Sequence, residues 1–76
     1  MSAGRWLGIV GIGEDGVDGL SPLARRMIEA AGAVFGGRRH LALAAPLVKG
    51  EAVEWPSPFT IEPLLARRGR PTVVLA

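Results

Sequence analysis

The most constraining feature of this 76-residue chain is a short apolar run, Trp6-Leu7-Gly8-Ile9-Val10, that passes directly into Gly11-Ile12-Gly13-Glu14-Asp15-Gly16. The apolar residues are nearly continuous rather than alternating, the pattern of a strand covered on both faces in a parallel sheet. The next segment, Gly11 to Gly19, holds four glycines and three acids (Glu14, Asp15, Asp18). That composition propagates neither helix nor strand and reads as a loop. Ser21-Pro22 then starts a helix, because a serine hydroxyl can accept from an orphan N–H and proline at the first helical position loses nothing by lacking a donor. Leu23, Met27, Ile28 and Ala31 recur at helical spacing, Arg25, Arg26 and Glu29 lie elsewhere on the wheel, and Gly32 offers a stop. Ala33-Val34-Phe35 follows as a second strand. Strand, loop, helix and strand in about 30 residues make a βαβ unit.

Beyond it, Gly36-Gly37-Arg38-Arg39-His40 reads as a loop and Leu41 to Leu47 as a weak helix ended by Pro46. Ala52 to Trp55 alternates like a peripheral strand closed by Pro56 and Pro58. Thr60 is placed to cap a helix containing Ile61, Leu64 and Leu65, which Gly69 stops, and Pro71 to Ala76 is a last buried-strand pattern. Val73-Val74-Leu75-Ala76 has no turn, cap or polar tail after it, so the expectation is a domain cut after a core strand, with a strand docked in mid-sheet as the alternative. Composition points the same way. A chain this short buries only about 60% of its unfolded surface, yet 49% of its residues are hydrophobic, as in the interior of a larger α/β protein. The expected fold class is α/β, a partial parallel-sheet (Rossmann-like) domain truncated after a core strand.

Several function classes drop out. There is no cysteine and a single histidine, His40, so a disulfide scaffold, a thiolate metal site and a multi-histidine centre are not expected. The net charge is +2, carried by eight arginines and Lys49 against seven acids. The pairs Arg25/Arg26, Arg38/Arg39 and Arg67/Arg68 are spread along the chain and do not interleave with its aromatics, so no nucleic-acid partner is expected. The apolar run from Trp6 to Ile12 is broken by Gly8 and Gly11, falls far short of the roughly 20 residues of a span, and lacks a cleavage site. A cytoplasmic protein without a membrane partner is the expectation.

Gly11-Ile12-Gly13-Glu14-Asp15-Gly16 satisfies G-x-G-x-x-G after a strand, the literal dinucleotide fingerprint. That fingerprint needs a helix N-terminus at once, but the helix start at Ser21 lies eight residues beyond Gly13. Glu14 and Asp15 also sit where a diphosphate would approach, at a like-charge cost. Arg38 and Arg39 after the second strand could suit a 2′-phosphate, so a fragment of an NADP-binding Rossmann oxidoreductase stays open, as does a small non-enzymatic α/β interaction module. A glycine turn flanked by carboxylates better suits a ligand with a cation and no phosphate. S-adenosylmethionine, with its sulfonium and ammonium, is one such ligand.

Taken in order, Val10-Gly-Ile-Gly-Glu-Asp-Gly16, Leu20-Ser-Pro22, Val34-Phe-Gly-Gly-Arg-Arg-His-Leu41 and Trp55-Pro-Ser-Pro-Phe59 resemble the tetrapyrrole (corrin/porphyrin) methylases of cobalamin biosynthesis. The resemblance covers essentially the whole chain. It implies a two-domain α/β protein, usually a homodimer, that binds S-adenosylmethionine between its domains and methylates ring carbons of a precorrin; in the long form a second, decarboxylating module follows. By position, Gly11, Gly13 and Glu14 match the family's first loop, which borders the cofactor. Gly36, Gly37 and Arg38 match its Gly-Gly-Arg after the second strand. Many relatives carry Pro-Gly-Asp where this chain has Glu14-Asp15-Gly16. The family's Ser-Gly-Asp-Pro motif would begin at residue 77, so residues 1–76 are expected to be an incomplete N-terminal subdomain with the C-terminal domain absent. Such a piece is expected to be inactive alone and to aggregate or stay loosely folded.

No dedicated catalytic residue and no metal are expected, since methyl transfer from a sulfonium mainly requires positioning and desolvation. His40 reads as a loop-anchoring residue, Glu14 and Asp15 as solvated loop acids, and Trp6 and Trp55 as packing residues. Arg38 and Arg39 are the candidates for the substrate's carboxylates, which a guanidinium binds bidentately.

Overall fold

A computed structural model describes residues 6–58 and 60–76. Phe59, the end of the Trp55-to-Phe59 motif, lies outside the described residues. The elements in chain order are β1 (Leu7–Val10), α1 (Pro22–Ala30), β2 (Ala33–Gly36), α2 (Arg38–Ala44), β3 (Glu51–Glu54), α3 (Glu62–Leu65) and β4 (Thr72–Leu75), with 3₁₀ turns at Gly16–Gly19 and Ala45–Leu47. The strands form one parallel sheet in the order β1-β4-β2-β3. The parallel α/β architecture expected from the sequence is therefore present.

Successive side chains alternate across a strand, so the register sorts them into two faces. Leu7 pairs with Thr72 and Val10 with Leu75, while Val34 pairs with Val73. One face presents Gly8, Val10, Val34, Val73 and Leu75; with Ile28 and Ala31 from the α1 end and Ala44 from α2, its large residues form the buried core. Met27 of α1 lies directly over Gly8, in the space a Cβ would take. The other face presents Phe35, Ala33 and Thr72, all buried. There the Phe35 ring meets Trp55 at a centroid distance of 5.2 Å, so Trp55 packs as expected.

The sheet order places the last strand and revises one expectation. β4 is the strand docked in mid-sheet, hydrogen-bonded to β1 on one side and β2 on the other. Its apolar run suits that central position, and a central last strand is compatible with a domain that continues beyond it. β1 occupies the edge, and Ile9 is 70% exposed, so the first strand is not covered on both faces. A continuous apolar run reads the same at an edge as in the centre.

Helix boundaries also move. Arg38, Arg39 and His40 form the first turn of α2, with Gly37 as the residue before it, instead of a loop. Pro46 sits in the 3₁₀ turn that continues the helix, where its missing N–H costs nothing. The glycine segment holds its own 3₁₀ turn, and Leu23 is 62% exposed although its spacing suggested the core face. Ala31 leaves α1 in an extended conformation, so the helix ends without a left-handed glycine. α3 is a single turn; Thr60 Oγ1 accepts from the Glu62 N–H at 3.3 Å, close to the capping role expected of it.

At the start of α1, Ser21 Oγ accepts from the Ala24 N–H at 3.1 Å with Pro22 next, as the sequence predicts. Ser21→Ala is expected to lower stability by about 1 kcal/mol, measured as a shifted urea midpoint at unchanged slope. An unchanged midpoint would show that the cap contributes nothing.

Candidate functional site

In open α/β sheets the ligand crevice lies beyond the carboxyl ends of the strands. Here those ends lead into the glycine loop after β1, the Gly37–His40 turn after β2, Trp55 after β3 and Ala76 after β4. The loop leaves β1 in a fixed path, because the Ile12 N–H donates to Ala76 O at 3.1 Å and the Ala76 N–H to Val10 O at 2.9 Å. Ile12 is buried and anchors it.

The loop then turns sharply. The Gly16 N–H donates to Gly13 O at 2.9 Å, closing a β-turn through Glu14 and Asp15. Gly16 itself has a φ of 61°, a conformation that side chains rarely adopt, and a Cβ there would stand 3.6 Å from Leu43 O of α2. The third glycine is therefore structural and seats the loop on α2. Gly11 and Gly13 differ. Both are exposed, and a Cβ at either would meet nothing within 4 Å. Their open main chain fits a ligand that approaches the loop closely.

Glu14 projects from this turn and forms a hydrogen-bonded ion pair with Arg39 in the first turn of α2. Arg38 Nε lies 3.8 Å from Glu54 Oε2 at the end of β3. The structure thus joins a cofactor-side candidate, Glu14, to a substrate-side candidate, Arg39, and sets Arg38 beside a carboxylate missed in the sequence reading. Asp15 instead packs by Gly19, where its Cβ lies 3.1 Å from the position a Cβ would take, and Asp18 reaches Arg25 at 3.9 Å. The loop acids serve three separate contacts and share no site. His40 is half-buried, with its Cβ 3.5 Å from the position a Cβ on Gly36 would take. Among the described residues, no three histidines and acids are grouped to hold a metal ion, and no helix is long and apolar enough to cross a membrane.

The Glu14–Arg39 pair joins residues 25 positions apart, so local spacing carries no trace of it. Only a parallel sheet with β1 and β2 pointing the same way puts the two turns at one edge. The dinucleotide fingerprint fares worse, since the Gly16–Gly19 turn and Leu20 and Ser21 separate the third glycine from the first residue of α1.

An open glycine turn and two carboxylate-paired arginines at the carboxyl edge of a parallel sheet make this a segment of the parallel α/β class, with its candidate site at that edge. No family model matches the chain, and no solved structure does. Its similarity to curated proteins is specific. A precorrin-6Y C(5,15)-methyltransferase (decarboxylating) of Sinorhizobium sp is 55% identical over 73 residues, 93% of this chain and 18% of that protein. The protein of that name from Mycobacterium tuberculosis (strain CDC 1551 / Oshkosh) is 44% identical over 51 residues, 67% of this chain and 13% of that protein. The chain is homologous to these precorrin-6Y C(5,15)-methyltransferases, and it spans less than a fifth of their length.

Proposed function

We propose that this chain is a segment of an S-adenosylmethionine-dependent methyltransferase that methylates ring carbons of precorrin-6Y in cobalamin biosynthesis, with decarboxylation carried out by the longer protein. The observation that carries the reading is 55% identity across 93% of the chain. In this reading residues 1–76 are an incomplete N-terminal subdomain of a cytoplasmic homodimer that engages neither nucleic acid nor membrane. S-adenosylmethionine, when bound, supplies the electrophilic methyl group. Gly11 and Gly13 offer it bare main chain, and the Glu14 carboxylate suits its cationic portion. Arg38 and Arg39 hold carboxylates of the tetrapyrrole, fixing the ring as a fork-shaped donor can. None of these residues needs to exchange a proton, because positioning and exclusion of water suffice for the transfer.

Calorimetry with S-adenosylmethionine tests the reading. The 76-residue chain alone is expected to give no heat and no turnover. A polypeptide extended to the relatives' length is expected to bind S-adenosylmethionine and to methylate precorrin-6Y. Gly13→Ala in that polypeptide is expected to weaken the cofactor about tenfold, roughly 1.4 kcal/mol, while in the 76-residue chain its Cβ meets no atom within 4 Å. Binding of NADPH in place of S-adenosylmethionine would instead support the oxidoreductase alternative.

A further inference from the structure

Each arginine of the candidate carboxylate site already faces a carboxylate of the chain: Glu14 on Arg39 and Glu54 on Arg38. The four residues come from the turn after β1, the first turn of α2 and the end of β3, so both pairs bridge separate elements at the carboxyl edge of the sheet. We propose that Glu14, and more weakly Glu54, are stand-ins for ligand carboxylates: they occupy the guanidinium groups in the free chain and are exchanged for the carboxylates of a polyanionic ligand on binding.

This rests on the reading of Arg38 and Arg39 as carboxylate ligands, and adds how that site is held ready and what its filling does. Side-chain exposure is 68% for Arg39 and 85% for Glu14, and 88% and 51% for Arg38 and Glu54. Exposed pairs contribute little net stability, because each ion is well solvated when parted. Exchanging one carboxylate for another at each guanidinium is therefore close to balanced. A ligand carrying several carboxylates on one rigid ring gains the advantage, since its second contact forms at high effective concentration. Until then the stand-ins keep two adjacent arginines neutralised and oriented.

The exchange also has a mechanical result. Glu14 lies in the β-turn between Gly13 and Gly16, so its pair with Arg39 ties that turn to α2. When a ligand carboxylate takes Arg39, the tie is released beside Gly11 and Gly13. Arrival of the polyanion is thereby coupled to the conformation of the loop proposed to border the cofactor. Glu14 contributes more than Glu54 because its contact is hydrogen-bonded, whereas Arg38 and Glu54 stand 3.8 Å apart without a hydrogen bond.

The test is titration of the polypeptide extended to the relatives' length with uroporphyrin, an octacarboxylate porphyrin, at low ionic strength, followed by the change in porphyrin fluorescence. Far-ultraviolet circular dichroism of each variant is matched to the parent. Arg39→Ala is expected to weaken binding about fivefold and Glu14→Gln to tighten it about two- to fivefold, the range of one exposed ion pair. Glu54→Gln is expected to tighten it by less. Glu29→Gln, an exposed acid on α1, controls for net charge and is expected to change binding by less than about 1.5-fold, as an unpaired surface charge does. The gain from Glu14→Gln is expected to vanish in an Arg39→Ala background, the signature of direct coupling. If Arg39→Ala weakens binding but Glu14→Gln leaves it unchanged or weaker, the stand-in proposal is overturned and the carboxylate site survives. If neither Arg38→Ala nor Arg39→Ala affects binding, the site itself is wrong and the proposal falls with it.

Discussion

Phe35→Ala is expected to cost the chain about 3–5 kcal/mol, the usual loss when a fully buried phenylalanine is truncated. Phe35 is 1% exposed, lies in β2 between β3 and β4, and stacks at a tilt on Trp55. Its removal leaves a cavity on the sheet face beside the Trp55 ring. Even a complete domain of this size has a stability of only about 4–11 kcal/mol, so the substitution is large on any such scale. Chemical denaturation should show a midpoint shifted far toward zero, or a chain already unfolded in buffer. The comparison is Ile9→Ala, at a residue 70% exposed on the edge strand, where the change should stay within about 0.5 kcal/mol. Equal losses at the two positions would mean that the second face of the sheet is not packed around Phe35.

Gly50→Ala is the second substitution with a large effect, expected at about 3 kcal/mol or slightly more, the upper range for overpacking. A Cβ on Gly50 would stand 2.6 Å from the carbonyl carbon of Gly32 and 2.7 Å from Ala31 O, and nearer still to Gly32 O. These are backbone atoms on the way into β2, and they cannot rotate aside as a side chain can. The Glu51 N–H donates to Gly32 O at 3.0 Å in the same place, so the pairing of β3 with β2 begins at this contact. Relief of the clash must push β3 outward and lengthen that bond. Hydrogen exchange should then show faster exchange at Ala52 to Glu54 than at Val73 to Leu75. Met27 over Gly8 is the instructive contrast, because a Cβ there clashes with the mobile end of a thioether and otherwise makes an ordinary contact with Val73 at 4.0 Å. Gly8→Ala should therefore be far milder than Gly50→Ala.

Much of this architecture is legible in the residues themselves. Ser21-Pro22 marks the start of α1 because capping is a local event, and the Trp6-to-Val10 and Pro71-to-Ala76 runs mark strands because they are short, apolar, rich in β-branched residues and bounded by glycine or proline. The position of each strand in the sheet is not legible in the same way. β4 is central and β1 peripheral, yet both carry continuous apolar runs, and only pairing partners distinguish them. Arg38 starting α2 was missed for a related reason: two glycines before a basic triplet resemble a turn until the packing of α2 on the sheet is known. Of the candidate site, Gly11, Gly13, Glu14, Arg38 and Arg39 were read locally from the loop motif and the family resemblance. Their pairings depend on chain crossing and left no local signal, and the conspicuous Gly16 turned out to support the loop instead of facing a ligand.

The central place of β4 also dictates an order of assembly. Thr72 pairs with Leu7 and with Ala33, which precede it by 65 and 39 residues. Until β4 leaves the ribosome, β1 and the β2–β3 pair share no hydrogen-bonded neighbour, so a nascent chain ending at Pro71 is two disconnected pieces with Val10 and Val34 uncovered. Such long-range pairing slows folding and prolongs the exposure of apolar surface to other chains. Of these four strands the last to emerge is the one that joins the others, and a nascent chain stopped before Thr72 would lack the pairing that links β1 to β2 while keeping only the β2–β3 ladder.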